Sequence, residues 1–395
     1  MLGETAMAPP RKALTERRKA EGFSRESLAL AVGVAEKTVG KWERNEATPE
    51  PLNQPRLAKA LRLTTQKLID LLNADAEPQV QEGLDRVEWA LANPSQADFE
   101  AVARLRNHVV ELSGRYDRER STALLAEAGQ LLGQVRFLRQ HAQRYGVKRD
   151  LLAAEAEAAT LMGQFAWDAS QRRDHLEARK HFDRAAEAAR EINDPVLESI
   201  ALLRTSYVAL YGEDDARDGL RLTEQAAVAA RGNSEVLEGL AVLHTAEAHA
   251  MLGERRSCER ALDLAQDHFG QKTEDDPVPE MFSETQHDRL AGACYLRLED
   301  ATKAQPTLER VAVKARSRSK SRSIVLANLS LTHILQRDLE QAAASLHLAI
   351  DSVEGTWGGG GLKVIFGAAR ELRPWRAEPV VDQVYDRLLT VMAAT

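Results

Sequence analysis

The chain has 395 residues, 44% of them hydrophobic and 29% charged, with a formal net charge of −7. No window of 18 apolar residues offers a membrane span, the first residues hold no apolar leader, and two cysteines are too few for a disulfide framework, so a soluble, cytoplasmic protein without membrane contact is expected. The charge is uneven: residues 1–75 carry 13 basic and 10 acidic side chains, a balance of +3, while the remainder sums to −10.

Residues 1–10 read as a disordered tail. "RKALTERRKAEG" is the first helical piece, with Gly22 as its closing residue. Ser24 then caps "RESLALAV", and Ser27 stands where a capping box usually has Glu. Gly33 makes a turn, and "EKTVGKWERN" forms the third helix. A loop punctuated by Pro49, Pro51 and Pro55 leads to "RLAKALRL" and "TQKLIDLLN", two further short helices ending at about residue 72. Residues 73–83 read as a linker.

From residue 84 to 395 the pattern is helical throughout, with Ala and Leu abundant and aromatics only 5%. Long helices fill 84–146, and a repeat follows. Five segments share a polar turn and then a small residue, at Ala178, Gly219, Cys258, Ala304 and Ala342, spaced by 41, 39, 46 and 38 residues. A small residue there lets two antiparallel helices approach closely, so successive units are expected to stack into a superhelix. "GTWGGGGLKV" is expected to interrupt the helices, because four consecutive glycines cannot sustain one; it reads as a mobile linker or an anion nest around Trp357. "AEPVVDQVYDRLLTVM" reads as a final amphipathic helix over the open end. The run "KARSRSKSRS", residues 314–323, is either a solvated turn or an anion-binding patch.

The N-terminal pattern has a physical reading. In a helix–turn–helix the second helix enters the major groove, so its first turns must be polar and exposed while its back packs inward. Leu28, Ala29, Val34, Val39 and Trp42 supply the inward face; Glu36, Lys37 and Lys41 point out. Lys37 suits guanine acceptors and Glu36 a cytosine amine. Arg25, Thr38 and Arg44 are placed for phosphates, which set register.

Residues 11–72 resemble the XRE/Cro-repressor type of DNA-binding domain. The resemblance is carried by Leu14, Arg18, Gly22, Ser24, Leu28, Ala29, Gly33, Val34, Thr38, Val39, "WERN" at 42–45, Pro49 and "LAKALRL" at 57–63. It implies five short helices and an Arg18–Glu43 bridge that is structural. Two positions depart from the usual pattern: Arg25 replaces a Gln, and Ala35 replaces a Ser or Thr, so no base preference carries over. The later units resemble tetratricopeptide repeats, and the domain order resembles peptide-sensing regulators of Gram-positive bacteria and a group of actinobacterial regulators.

The fold class expected is therefore all-α, a five-helix DNA-binding domain followed by a tetratricopeptide-like solenoid. In such a superhelix the first helix of each unit lines the concave groove. The repeat register puts Arg204, His244, Glu247, Arg289 and Asn328 on that lining, either as ligand contacts for a peptide or small molecule or as bridges between repeats. No Walker loop, nucleophile elbow or dinucleotide fingerprint is present, and the ten His are scattered, so no enzyme, metal or cofactor is expected. The expected partners are a palindromic double-stranded DNA operator, a second copy of the chain and an effector; the alternative is a protein-binding scaffold tethered to DNA.

Overall fold

The computed structural model describes residues 11–50, 53–64, 85–283, 285–315 and 319–393, together with 67, 68, 71 and 72. The expected tail at 1–10 and linker at 73–83 lie outside these. The chain divides into two compact units, Met1–Asp85 and Arg86–Thr395. Both are helical, with no strand among the described residues.

The first unit holds α1 (Lys12–Ala20), α2 (Arg25–Val32), α3 (Glu36–Glu43) and α4 (Gln54–Ala60), and residues 67, 68, 71 and 72 are also helical. Gly22 closes α1 with a positive φ. Ser24 and Ser27 complete a reciprocal capping box at the start of α2. Gly33 ends that helix at φ 82°, a left-handed conformation that a β-carbon would strain, and this reverses the chain into α3. Ala35 has no side-chain acceptor, so the first turn of α3 is left without a side-chain cap. Leu14, Leu28, Val39, Trp42, Leu57 and Leu61 form the core, each burial worth about 1.5–3 kcal/mol. Arg11 was not foreseen. It is buried and spans the unit, donating to the carbonyls of Leu72 (2.9 Å), Trp42 (3.1 Å) and Ala47 (2.8 Å) and to the Thr48 hydroxyl (3.0 Å).

The second unit opens with α5 (Arg86–Ala92), α6 (Phe99–Arg115) and α7 (Ser121–His141). Six helix pairs follow: α8 (Tyr145–Ala169) with α9 (His175–Glu191), α10 (Pro195–Val208) with α11 (Ala216–Ala230), and α12 (Glu235–Met251) with α13 (Arg255–Gln271). Then come α14 (Gln286–Arg297) with α15 (Ala301–Lys314), α16 (Lys320–Leu335) with α17 (Leu339–Glu354), and α18 (Gly359–Leu372) with α19 (Pro379–Ala393). The polar turn within a pair is a left-handed residue followed by a capping carboxylate: Asp214–Asp215, Glu299–Asp300 and Arg337–Asp338. The capping Asp satisfies a free amide of the next helix and its charge complements the helix dipole. The small positions Ala178, Cys258, Ala304 and Ala342 are fully buried. At Gly219 a β-carbon would run into the Leu210 side chain. The terminal helix α19 buries Val381, Val384, Leu388 and Val391, as an amphipathic end cap should.

Two expectations fail. The glycine stretch does not interrupt the helices: Gly358 is the N-cap of α18, and Gly359, Gly360 and Gly361 form its first turn. Helix propensity opposes this by about 1 kcal/mol per glycine, but close approach requires it. A β-carbon at Gly359 would lie 2.9 Å from both the Asp168 carbonyl oxygen and the Gln171 α-carbon, and one at Gly361 would strike the Ser323 hydroxyl. The basic run is not simply a solvated turn either. Residues 316–318 lie outside the described set, but Lys320 is buried, its Nζ 2.9 Å from the Asp168 carboxylate. Arg322 donates to the Ala312 carbonyl at 2.6 Å.

These corrections share one cause, which is that the two ends of the repeat array meet. Asp168, 2% exposed at the end of α8, accepts from the Gly359 amide (2.8 Å), the Ser121 hydroxyl (2.8 Å) and Lys320. The Lys320 amide donates to the Asp117 carbonyl at 3.1 Å, and its ammonium lies 3.9 Å from the Tyr116 ring. Further along α18, Lys363 donates to the Tyr211 carbonyl at 2.7 Å. That carbonyl belongs to a single turn of π-helix, Ala209–Glu213, which ends α10. The concave side of the solenoid is thereby narrowed into a chamber that stays partly open to solvent.

Candidate functional site

Helix α3 presents the first candidate surface. Its inward face, Val39 and Trp42, sits in the core, and its outward face carries Glu36, Lys37 and Lys41, all exposed. Among the described residues these three side chains have no hydrogen-bond or ion-pair partner, so their polar ends are free for an outside ligand. Thr38 is half-buried. Arg44 is exposed and engages Glu46 through two contacts, 2.6 and 3.0 Å. Such an exposed pair is worth little and is readily exchanged for a phosphate.

Arg25 does more than wait for a phosphate. Its Nε lies 2.5 Å from Glu43 Oε2, while Arg18 Nε lies 2.7 Å from Oε1 of the same carboxylate. Glu43 is 2% exposed. Burial works against its ionisation, but the hydrogen bonds from Arg18 and Arg25 outweigh that and hold its carboxyl below the usual range. The bridge ties α1, α2 and α3 together and fixes the pitch at which α3 is displayed.

The chamber of the second unit, about 940 Å³, is the other candidate. Arg204 on α10, His244 and Glu247 on α12, Arg289 on α14 and Asn328 on α16 all line it. They lie together because each comes from the first helix of a successive pair. Tyr211 from the π-turn completes a cluster: its hydroxyl lies 2.7 Å from His244 Nδ1 and donates to Glu247 Oε2, which is itself 2.8 Å from His244 Nδ1.

Burial holds His244 well below its ordinary value, with Arg289 and Arg204 adding to the effect, and pushes Glu247 up to about 8. At neutral pH the cluster is therefore an uncharged hydrogen-bonded set rather than an ion pair. His244 Nε2 has no partner among the described residues although it is buried. Tyr207 lies 4.4 Å from the His244 ring and carries Arg204 5.3 Å from its own. Tyr116, Trp167 and Arg172, also on the lining, were not singled out from sequence; Arg172 stacks on Trp167 at 4.6 Å.

Residues 14–68 match the helix-turn-helix family, so the first unit carries a helix-turn-helix domain. No curated protein matches the chain. Among solved structures, Bacillus thuringiensis PlcR in complex with the peptide PapR7 and DNA aligns over 86% of this chain and 98% of that one, at 11% identity and a TM-score of 0.32. A superposition that loose says nothing about what this chain binds. Among the described residues no helix is long and apolar enough to cross a membrane.

Proposed function

We propose that this protein is a transcriptional regulator that reads a DNA operator through α3 and is controlled by an effector held in the chamber of its repeat unit. The observation that carries the reading is the face of α3. Glu36, Lys37 and Lys41 are exposed and unpartnered beside a rigid Arg18–Glu43–Arg25 bridge, the arrangement needed to present polar groups to base edges. Lys37 and Glu36 read bases; Thr38, Lys41, Arg44 and the exposed part of Arg25 hold the backbone. One recognition helix reads few base pairs, so the protein acts as a dimer on a palindromic site with half-sites about one helical turn apart.

The effector acts only insofar as it binds one DNA-competent arrangement better than another. The chamber supports a small effector. It is concave, close to the upper end of the usual size of ligand pockets, and carries convergent polar groups among apolar ones. The test is a selection on random duplex DNA with the wild type beside Lys37→Ala. A palindromic consensus that degrades at one position per half-site in the variant supports the reading. An identical consensus and affinity in both proteins removes Lys37 from base contact, and no enrichment in either removes the DNA-reading role.

A further inference from the structure

The chamber's charge is more specific than its size. Of the two buried acids on its wall, Asp168 is committed to Lys320 and the Gly359 amide, and Glu247 sits inside the Tyr211–His244 cluster. Lys363 is engaged by Asp214 at 3.3 Å and by the Tyr211 carbonyl. Three guanidinium groups on the same wall, Arg172, Arg204 and Arg289, form no ion pair with any described residue. Two of them leave Nε buried without an acceptor, Arg172 and Arg204. The three residues are half-buried rather than sealed, but a guanidinium nitrogen shielded from water without an acceptor is unfavourable, and such groups are normally paired.

Two further polar side chains point to the same occupant. His244, 3% exposed, has an Nε2 with no partner, and Asn328, 8% exposed, makes no side-chain hydrogen bond among the described residues. Arg204 and Arg289 both act electrostatically on His244 and on Tyr207, so these groups converge on one region of the chamber. Tyr207, Leu290, Ile324 and Leu331 supply aromatic and aliphatic surface on the same lining.

We infer that the chamber binds a small organic anion, whose carboxylate or phosphate is held by Arg204 and Arg289 and whose apolar body lies along Tyr207 and the aliphatic side chains of α14 and α16. The anion supplies the counter-charge the guanidinium groups lack, in the forked geometry that suits arginine. Asn328 and His244 Nε2 provide additional hydrogen bonds that fix its orientation. This rests on the chamber being the effector site, as proposed above, and it names the effector's class.

The experiment uses two fluorescent probes of similar shape and opposite charge character on the full chain without DNA: anilinonaphthalene sulfonate, an aromatic anion, and the uncharged N-phenyl-naphthylamine. The wild type is expected to bind the anionic dye at one saturable site. Arg204→Met/Arg289→Met is expected to weaken it at least tenfold while changing the uncharged dye less than twofold. Arg204→Lys, which keeps the charge but loses the fork, is expected to bind the anionic dye more weakly than the wild type and more tightly than the double variant, with circular dichroism checking that each variant is folded. Three results overturn the inference: no saturable anionic site in the wild type, unchanged anionic affinity in the double variant, or equal loss of both dyes in a folded double variant. Because no DNA is present, any of these leaves the operator reading standing, and the random-duplex selection tests that separately.

Discussion

Replacing Asp168 with Ala removes the acceptor for three donors at once: the Gly359 amide, the Ser121 hydroxyl and the Lys320 ammonium, at 2.8, 2.8 and 2.9 Å. The paired Lys320 and Asp168 side chains are 6% and 2% exposed. Deleting one partner of so buried a pair costs about 3–5 kcal/mol, chiefly because the other charge is stranded. Lys320 has no solvent to retreat to; burial already lowers its affinity for a proton, and what remains beside it is the Ser121 hydroxyl at 2.8 Å, the Tyr116 ring, and the weaker, opposing fields of Asp117 and Arg172. Adding Lys320→Met removes the stranded charge and leaves an unpaired amide and hydroxyl, a loss of about 1–3 kcal/mol. The double variant should therefore be more stable than Asp168→Ala alone, by about 2 kcal/mol. Urea unfolding of the wild type, both single variants and the double variant, followed by circular dichroism at pH 7, closes the cycle. Should the two losses simply add, leaving the double variant the least stable of the four, the pair is not the buried charge lock described.

Glu247→Gln tests the neutral cluster. A folded value of about 8 against an ordinary 4.5 means that the folded protein favours the protonated form. The associated stability is fully present below about 4.5 and is lost as pH rises toward 8, at about 1.4 kcal/mol per unit. Gln cannot ionise, so between pH 5 and 7 the variant should gain roughly 3 kcal/mol on the wild type in urea unfolding; parallel behaviour of the two proteins would contradict a protonated Glu247. The groups facing it, Tyr211, His244, Arg289 and Arg297, are common to both proteins. In the glycine seam, propensity alone predicts that Ala stabilises α18 at either position by about 1 kcal/mol. Gly359→Ala should instead destabilise, by about 1–3 kcal/mol, because its new carbon meets backbone. Gly360→Ala should be close to neutral, since it meets only the movable end of Arg172; melting temperatures of the two distinguish these outcomes, and similar values would show that the seam is loose. In the first unit, Glu43→Ala should lower stability by about 3 kcal/mol by leaving Arg18 buried and unpaired, whereas Lys37→Ala should leave the melting temperature unchanged. A Lys37 variant that melts early would make its exposed position structural.

What sequence revealed and what it hid divide along the distance between interacting residues. Helices and their turns are local, set by periodicity, by Ser24, Gly33 and the capping aspartates, and they were legible. The convergence of Arg204, His244, Glu247, Arg289 and Asn328 was legible because regular repeats present equivalent positions to one side. The closure of the array was hidden. Asp168 and Gly359 lie 191 residues apart, and nothing near either one signals the other. Read locally, four glycines argue against a helix and alternating basic residues argue for a solvated turn; both inferences are sound until a distant backbone and a distant carboxylate are brought alongside. Arg11 was missed for a related reason, since its acceptors are backbone carbonyls that any sequence supplies.

A row of helical hairpins ordinarily behaves as a one-dimensional chain of neighbours, free to fray inward from whichever tip is weaker. Here the tip that would peel first is fastened to the beginning of the row. Loosening any single hairpin gains little entropy while both its flanks remain anchored, so partial opening should be suppressed and amide exchange from α8 to α18 should approach one common rate. The same fastening delays assembly, because the carboxylate at position 168 must wait, during synthesis, until some 190 further residues have been made before its last partner exists.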